Sequence, residues 1–253
     1  MKMTINFPDN DAIDMHLYRF SGTEGISRIF KYNLHMESED DIDFADIVGK
    51  NVTVAWSDDG QTVQRHFNGM IVSLTRRSKR EDYYHYQAVM VPRLWLLTRR
   101  VNYRIFQNQR IPDIVESILD EYKTDHKLEF VIGDIQSQTY ADHKLDYCTQ
   151  YGETDLNFIS RLMEDGGLCY YFTHDASEHT MYIHDSYFDN YPEIYDSEAN
   201  IVDTRLSDHH RTTDEINRWE HRQEIRSECY TIGDYSFKKI TSTINDCKRT
   251  DCT

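Results

Sequence analysis

Apolar and polar side chains alternate along the first ninety residues. "IDMHLYRFSG" (13–22) and "SRIFKYNLHMES" (27–38) read as half-buried strands joined by a turn from Gly22 to Gly25. The acidic stretch "SEDDIDFADIVGK" (38–50) places apolar residues at Ile42, Phe44, Ile47 and Val48, a short helix or turn closed by Gly49. "NVTVAW" (51–56) and "QTVQRHFNGMIVSLTRR" (61–77) flank Ser57-Asp-Asp-Gly60, a hairpin with an Asp-Gly turn. "DYYHYQAVMVP" continues the alternation to Pro92. Short strands at this spacing predict a small antiparallel barrel.

Past residue 100 the period changes. "RIPDIVESILDEYKTDH" (110–126) has Ile111, Ile114, Val115, Ile118, Leu119 and Tyr122 on one helical stripe, with Pro112 in the first turn. "KLEFVIGDI" (127–135) reads as a strand. A second helix follows, with Thr154 as N-cap, Leu156, Ile159, Leu162 and Met163 as its stripe, and Gly166-Gly167 as a left-handed stop. "LCYYFTH" and "HTMYIHD" then form a hairpin with a four-residue loop from Asp175 to Glu178. "SYFDNYPEIYDSEAN" (186–200) has no period and reads as a connector. Alternation resumes around Trp219 and Ile232-Gly-Asp, the expected start of a second β-unit. No repeat at solenoid periods and no low-complexity stretch is present in the sequence.

The expected fold is therefore mainly β with an α+β insertion: a small antiparallel β-barrel carrying two helices, then the start of a second barrel. The expected domains are a first barrel over 1–100, a helical α/β insertion with the 168–185 hairpin over 101–200, and an incomplete second barrel over 201–253.

Composition adds that 253 residues with 39% hydrophobic side chains can bury a full core, and that 18 Tyr and 11 Phe favour pleated surfaces. The N-terminus lacks the long apolar stretch of a secretory signal, and no apolar run reaches the roughly 20 residues that span a bilayer. Five cysteines without regular spacing fit reduced thiols in a cytoplasmic chain. The net charge of −16 argues against nucleic-acid binding, where phosphate attraction dominates. Residues 76–110 nonetheless hold nine Lys/Arg against two acids, a net of +7 against −23 elsewhere. Two readings stand for Arg76, Arg77, Arg99, Arg100, Arg104 and Arg110: local salt bridges on solvated strands, or charge complementarity with another subunit or partner. Large apolar groups beside them, Leu94, Trp95, Leu97, Ile105 and Phe106, suit barrel packing behind a charged rim.

A search for chemistry is mostly negative. The sequence contains no phosphate-binding glycine loop, nucleophile elbow, His-Glu-x-x-His or paired Cys-x-x-Cys. Across the predicted hairpin His174 faces His179 and Cys169 faces His184, but two groups per face are too few for zinc. "SDHHR" (207–211) reads as a solvated loop, and the 44 acids single out no hydrolase pair. Glu153 and Asp155 suit a helix N-terminus on dipole grounds alone. Catalytic residues, metal ligands and cofactors are all expected to be none.

"YCTQYGETDLNFISRLMEDGGLCYYF" (147–172) closely resembles the most recognisable stretch of the VgrG family, the spike subunits of type VI secretion. In order along the chain, "EGISRIFKYNLHMESEDDIDFADIVGKNVTV", "RHFNGMIVSL", "PRLWLLTRRVNYRIFQNQRIPDIVESIL" and "RWEHRQEI…YTIGDYSFKK" resemble further family elements. The motif positions are Tyr151, Glu153, Asp155, Phe158, Arg161, Leu162, Gly166, Gly167 and Tyr170. The resemblance extends to the baseplate hub of contractile phages and to phage late-control protein D.

What it implies is a structural, non-enzymatic homotrimer whose barrels form a ring on the hexameric Hcp tube, at the base of a membrane-puncturing spike. Downstream spike or effector elements would be further partners. Assembly would occur in the bacterial cytoplasm, followed by ejection through the apparatus without a signal peptide. The insertion would span about Val101 to Glu164, and family members continue past the point where this chain stops, through a second barrel, a neck and a long β-helix. A tail hub of a contractile phage and a cell-wall hydrolase stay as alternatives.

Overall fold

The computed structural model describes residues 2–8, 10, 12–57, 63–77, 79, 82–133, 135, 140–185, 223, 225, 229–235 and 243–249. The chain divides into two compact units, Met1–Tyr195 and Asp196–Thr253.

In the first unit, β1 (Lys2–Asn6), β2 (His16–Thr23), β3 (Lys31–Ser38), β4 (Asn51–Ser57), β5 (Val63–Arg76) and β6 (Tyr84–Val91) form one antiparallel sheet in the order β1-β4-β5-β6-β3-β2. The edge strands β1 and β2 lie against each other, so the sheet is nearly closed, as the alternation predicted. Strict two-residue periodicity sends Tyr32, Leu34 and Met36 of β3 and Tyr86, Ala88 and Met90 of β6 inward, where they meet Val52, Val54 and Ile71. Each large aliphatic buried in this way contributes about 1.5–3 kcal/mol. Bulges in β2 and, twice, in β5 supply the bends that a small closed sheet requires. Gly69 of β5 has no substitute there, because a Cβ would sit 2.6 Å from Met90 Cγ and 2.9 Å from the Val91 carbonyl. The acidic stretch becomes a 3-10 turn, Phe44–Asp46, that drops Ile47 into the barrel and ends at Gly49 with φ +84°.

The insertion builds its own core. A 3-10 turn, Arg93–Thr98, leads into β7 (Val101–Phe106) and β8 (Gln109–Arg110), which pair antiparallel with β11 (Cys148–Thr154) and β10 (Lys144–Leu145). Between them lie α1 (Ile111–His126) and β9 (Glu129–Ile132). All six predicted stripe residues of α1 are buried. Asp113 and Arg110 close its N-terminus reciprocally, and Lys127 ends it in the left-handed region at φ +51°.

After β11 come α2 (Asp155–Gly166), β12 (Leu168–His174) and β13 (His179–Asp185). The hairpin register is the expected one, His174 opposite His179 and Cys169 opposite His184, and β9 adds to β13 in parallel. The Thr154 hydroxyl accepts the Asn157 N–H at 3.2 Å, and Gly167 stops α2 at φ +70°.

Three packing expectations differ. Leu94 and Leu97 are buried in the core of the insertion, not the barrel, because the 3-10 turn carries the chain out of the sheet. Ile105 is exposed, since β7 alternates with Val101, Tyr103 and Ile105 outward. On α2 Phe158 joins the expected Ile159, Leu162 and Met163 in the core while Leu156 is only partly buried at the edge of the apolar face, because the stripe runs 155, 158, 159, 162, 163, 166.

In the second unit, β14 (Cys229–Tyr235) and β15 (Thr243–Arg249) form an antiparallel ribbon. The Asp-Gly turn, the 186–200 connector, the 207–211 His cluster and Trp219 lie outside the described residues.

Candidate functional site

The most organised polar cluster sits where β11 passes into α2. Asp155, first residue of the helix, has no solvent exposure. One carboxylate oxygen accepts from Asn102 Nδ2 at 2.9 Å and Gln150 Nε2 at 2.8 Å. The other accepts from the Tyr122 hydroxyl at 2.8 Å and lies 3.2 Å from Arg100 Nε and 3.5 Å from Arg104 Nη2. Burial alone would push this carboxyl up, but hydrogen bonds from Gln150, Asn102 and Tyr122, with the Arg104 charge, hold it below the usual range. Burial, and then the hydrogen bond to Asp155, raises the Tyr122 phenol. Three hydrogen-bond donors and two guanidiniums, from β7, α1, β11 and the segment before β7, thus converge on one charge and make a fixed joint.

Its neighbours in the motif extend the joint. Gly152 takes φ +65° at a bulge in β11, and a Cβ there would lie 3.0 Å from the Tyr103 hydroxyl. The bulge turns Glu153 onto Arg161, whose Nε and Nη2 grip its carboxylate at 2.7–3.1 Å while Nη2 also donates to the Thr149 carbonyl at 2.8 Å. Arg161 lies over the Phe158 ring, and Phe158, Leu162, Gly166 and Tyr170 are buried. Arg161 and Gly167 reach the surface, and Tyr151 is 80% exposed.

That exposure belongs to a surface. With Asn102 and Arg104 turned inward to Asp155, the outer face of the β7–β11 ribbon presents Val101, Tyr103, Ile105 and Tyr151, and Tyr147 is exposed just before it. Tyr103 and Tyr151 face each other across the ladder in an edge-to-face contact, 5.3 Å between centroids. Nothing in the sequence pattern alone distinguishes this face, because the strand is inverted: polar inside, apolar outside.

The six arginines of the basic segment separate into two groups. Arg76 pairs with Asp41, Arg100 and Arg104 with Glu121 and Asp155, and Arg110 with Asp113 and Asp142. Arg77 donates to the Gln87 amide oxygen at 2.8 Å and Arg99 stacks 4.1 Å above Trp95, neither ion-paired among the described residues.

The facing histidines of the hairpin meet Asn68 of β5. His174 Nδ1 lies 3.0 Å from the Asn68 N–H, and His179 Nδ1 lies 3.0 Å from Asn68 Oδ1. The Arg93 N–H donates to His179 Nε2 at 3.0 Å. Burial pushes His174 down to about 4 and His179 to about 3, so both are neutral at pH 7. They fasten the hairpin to the barrel as neutral imidazoles. Among the described residues no three His, Cys, Asp or Glu side chains are grouped to hold a metal ion, and no helix is long and apolar enough to cross a membrane.

Residues 23–251 match the family model described as the phage tail baseplate hub (GPD). The chain belongs to that family. This hub chain is 32% identical over 228 residues to the type VI secretion system spike protein VgrG1b of Pseudomonas aeruginosa, covering 89% of this chain and 29% of that protein. It is 31% identical over 226 residues to VgrG1a of the same organism, covering 88% of this chain and 33% of that one. The chain thus spans about a third of the length of these curated relatives. The fold matches the E. coli c3393 protein, a type VI secretion component described as similar to the T4 tail proteins gp27 and gp5. The TM-score is 0.62 at 27% identity, over 73% of this chain and 49% of that one. The tail protein of Neisseria meningitidis shares the fold over 99% of this chain and 68% of its own, with a TM-score of 0.61 at 12% identity. The resemblance expected from the sequence is borne out, and the relatives are structural spike and hub proteins.

Proposed function

We propose that this chain is the hub portion of a type VI secretion spike, forming a homotrimeric ring that caps the Hcp tube and carries downstream spike or effector elements. The observation that carries the reading is the apolar outer face of the β7–β11 ribbon, held rigid from behind by Asp155 and its five partners. Large aromatics on a rigid element, with little rotamer freedom to lose, suit a subunit contact. Completing the burial of each such side chain contributes about 1 kcal/mol, enough over several residues to favour association. In the same reading Arg77 and Arg99, without a carboxylate among the described residues, face a partner, the pair β14–β15 opens the second barrel, and the subunit assembles in the cytoplasm before ejection. The role is structural, with no reaction assigned to any residue.

The test is sedimentation of Tyr103→Glu/Tyr151→Glu against the unaltered chain. The variant is expected to lose the trimer while keeping its far-UV spectrum, since both side chains lie outside the core. A variant that sediments like the unaltered chain would remove the ribbon from the interface.

A further inference from the structure

On the outer face of the barrel a polar row crosses four strands. Arg19 of β2 lies opposite His35 of β3, His35 opposite Gln87 of β6, and Gln87 opposite Thr75 of β5. One step along, Glu37 faces His85, and the Arg77 N–H bonds to the His85 carbonyl at 2.8 Å. A bulge between Leu17 and Arg19 turns two consecutive side chains, Tyr18 and Arg19, outward. Tyr18, Arg19, His35, Thr75, Arg77 and His85 line the resulting open groove, with a volume of about 1100 Å³.

Its charge is unusual for this chain. Acids outnumber bases 44 to 28, and Arg65, Arg76, Arg100, Arg104, Arg110 and Arg161 each hold a carboxylate. Arg19 and Arg77, on either side of the groove, hold none among the described residues. Their field reaches His35, which burial and then these two guanidiniums keep below its ordinary value. The acid in the groove, Glu37, lies 3.8 Å from His85 Nδ1. The Tyr18 ring packs against both imidazoles, 6.0 Å from each, and forms one wall.

We propose that this groove binds an acidic segment of a partner protein, its carboxylates reaching Arg19 and Arg77 and its backbone lying along Tyr18. Charge complementarity selects the occupant: an anion meets two guanidiniums that hold no carboxylate among the described residues. A duplex nucleic acid is the poorer match, because a long polyanion also meets the −16 of the whole chain, whereas a short segment feels chiefly charges within the ~8 Å screening length. The groups facing His35 are Tyr18 and Arg19 from β2, Glu37 on its own strand, His85 from β6 and Arg77 at the end of β5. Added carboxylates therefore raise the His35 pKa, and by linkage binding tightens as pH falls through the ordinary histidine value of 6.5 and below.

The experiment is fluorescence anisotropy of a labelled hexaglutamate peptide with the full chain at low salt. Arg19→Gln/Arg77→Gln is expected to weaken binding at least tenfold, Lys50→Gln, at an exposed position outside the groove, to leave it unchanged, and the His35 ring titration to move upward when peptide is added. The proposal is overturned by absence of peptide binding, by equal binding to the double variant, by equal loss with Lys50→Gln, or by an oligothymidylate that outcompetes the peptide. The readout needs no oligomer, so a monomeric chain that binds the peptide through these arginines sustains the groove while ending the trimer reading.

Discussion

Replacing Asp155 by Asn probes the joint behind the ribbon most sharply, because it preserves shape and removes only charge and acceptor capacity. Every group around the carboxylate is a donor: Asn102, Gln150, Tyr122, Arg100 and Arg104. An amide presents an NH2 to one half of that set, so whichever way it turns, buried donors face a donor. A buried donor left unsatisfied costs about 1–3 kcal/mol, and breaking a buried charge pair about 3–5 kcal/mol. Arg100 and Arg104 keep Glu121 as a second partner, and the Arg100 side chain is 44% exposed, which lowers the penalty on the cations. The expected destabilisation is therefore about 3 kcal/mol, the lower end of the pair-breaking range. It should appear as a lower urea midpoint at unchanged slope, and as a melting temperature lower by roughly 6–12 °C. The depressed carboxyl contributes stability that is present above its unfolded pKa near 3.8 and is lost as pH falls through the folded value. The gap between the two proteins should accordingly narrow only below pH 4. A loss under 1 kcal/mol would refute the assignment of Asp155 as the joint.

Acid should loosen the hairpin by a separate route. His174 and His179 resist protonation when folded and accept it near 6.5 when unfolded, so stability falls as pH drops below 6.5, by about 2 kcal/mol per imidazole at pH 5. Equal urea midpoints at pH 7.5 and 5 would contradict this. Gly152→Ala, which combines a left-handed φ with a Cβ 3.0 Å from the Tyr103 hydroxyl, should cost about 1–2 kcal/mol in the same measurement, and a neutral effect would mean the bulge relaxes freely.

Much of the architecture was legible because period and punctuation agreed. The alternation over 13–91 produced the barrel strands, the stripe Ile111 to Tyr122 produced α1, and Thr154 with Gly167 bounded α2. The hairpin register followed from its loop length alone. Reading failed where polar chemistry overrides the pattern. In "VNYRIF" Val101, Tyr103 and Ile105 point outward because Asp155 draws Asn102 and Arg104 inside, a choice made by a residue some fifty positions later. Asp155 itself read as a helix-dipole acid, since sequence does not reveal that five partners will meet there. His174 and His179 read only as a facing pair too small to hold zinc, and their common partner Asn68 lies over a hundred positions earlier. Of the two readings of the basic segment, local salt bridges hold for Arg76, Arg100, Arg104 and Arg110, although the sequence did not reveal which carboxylates, Asp41, Asp113, Glu121, Asp142 and Asp155, would supply them.

Assembly, rather than chemistry, is the claim on which the rest depends, and the mass of the purified chain in solution tests it most directly. Analytical ultracentrifugation at micromolar concentration is predicted to give a species of three chains that dissociates when Tyr103 and Tyr151 are charged. A single-chain mass across that concentration range, with the fold intact, would contradict it.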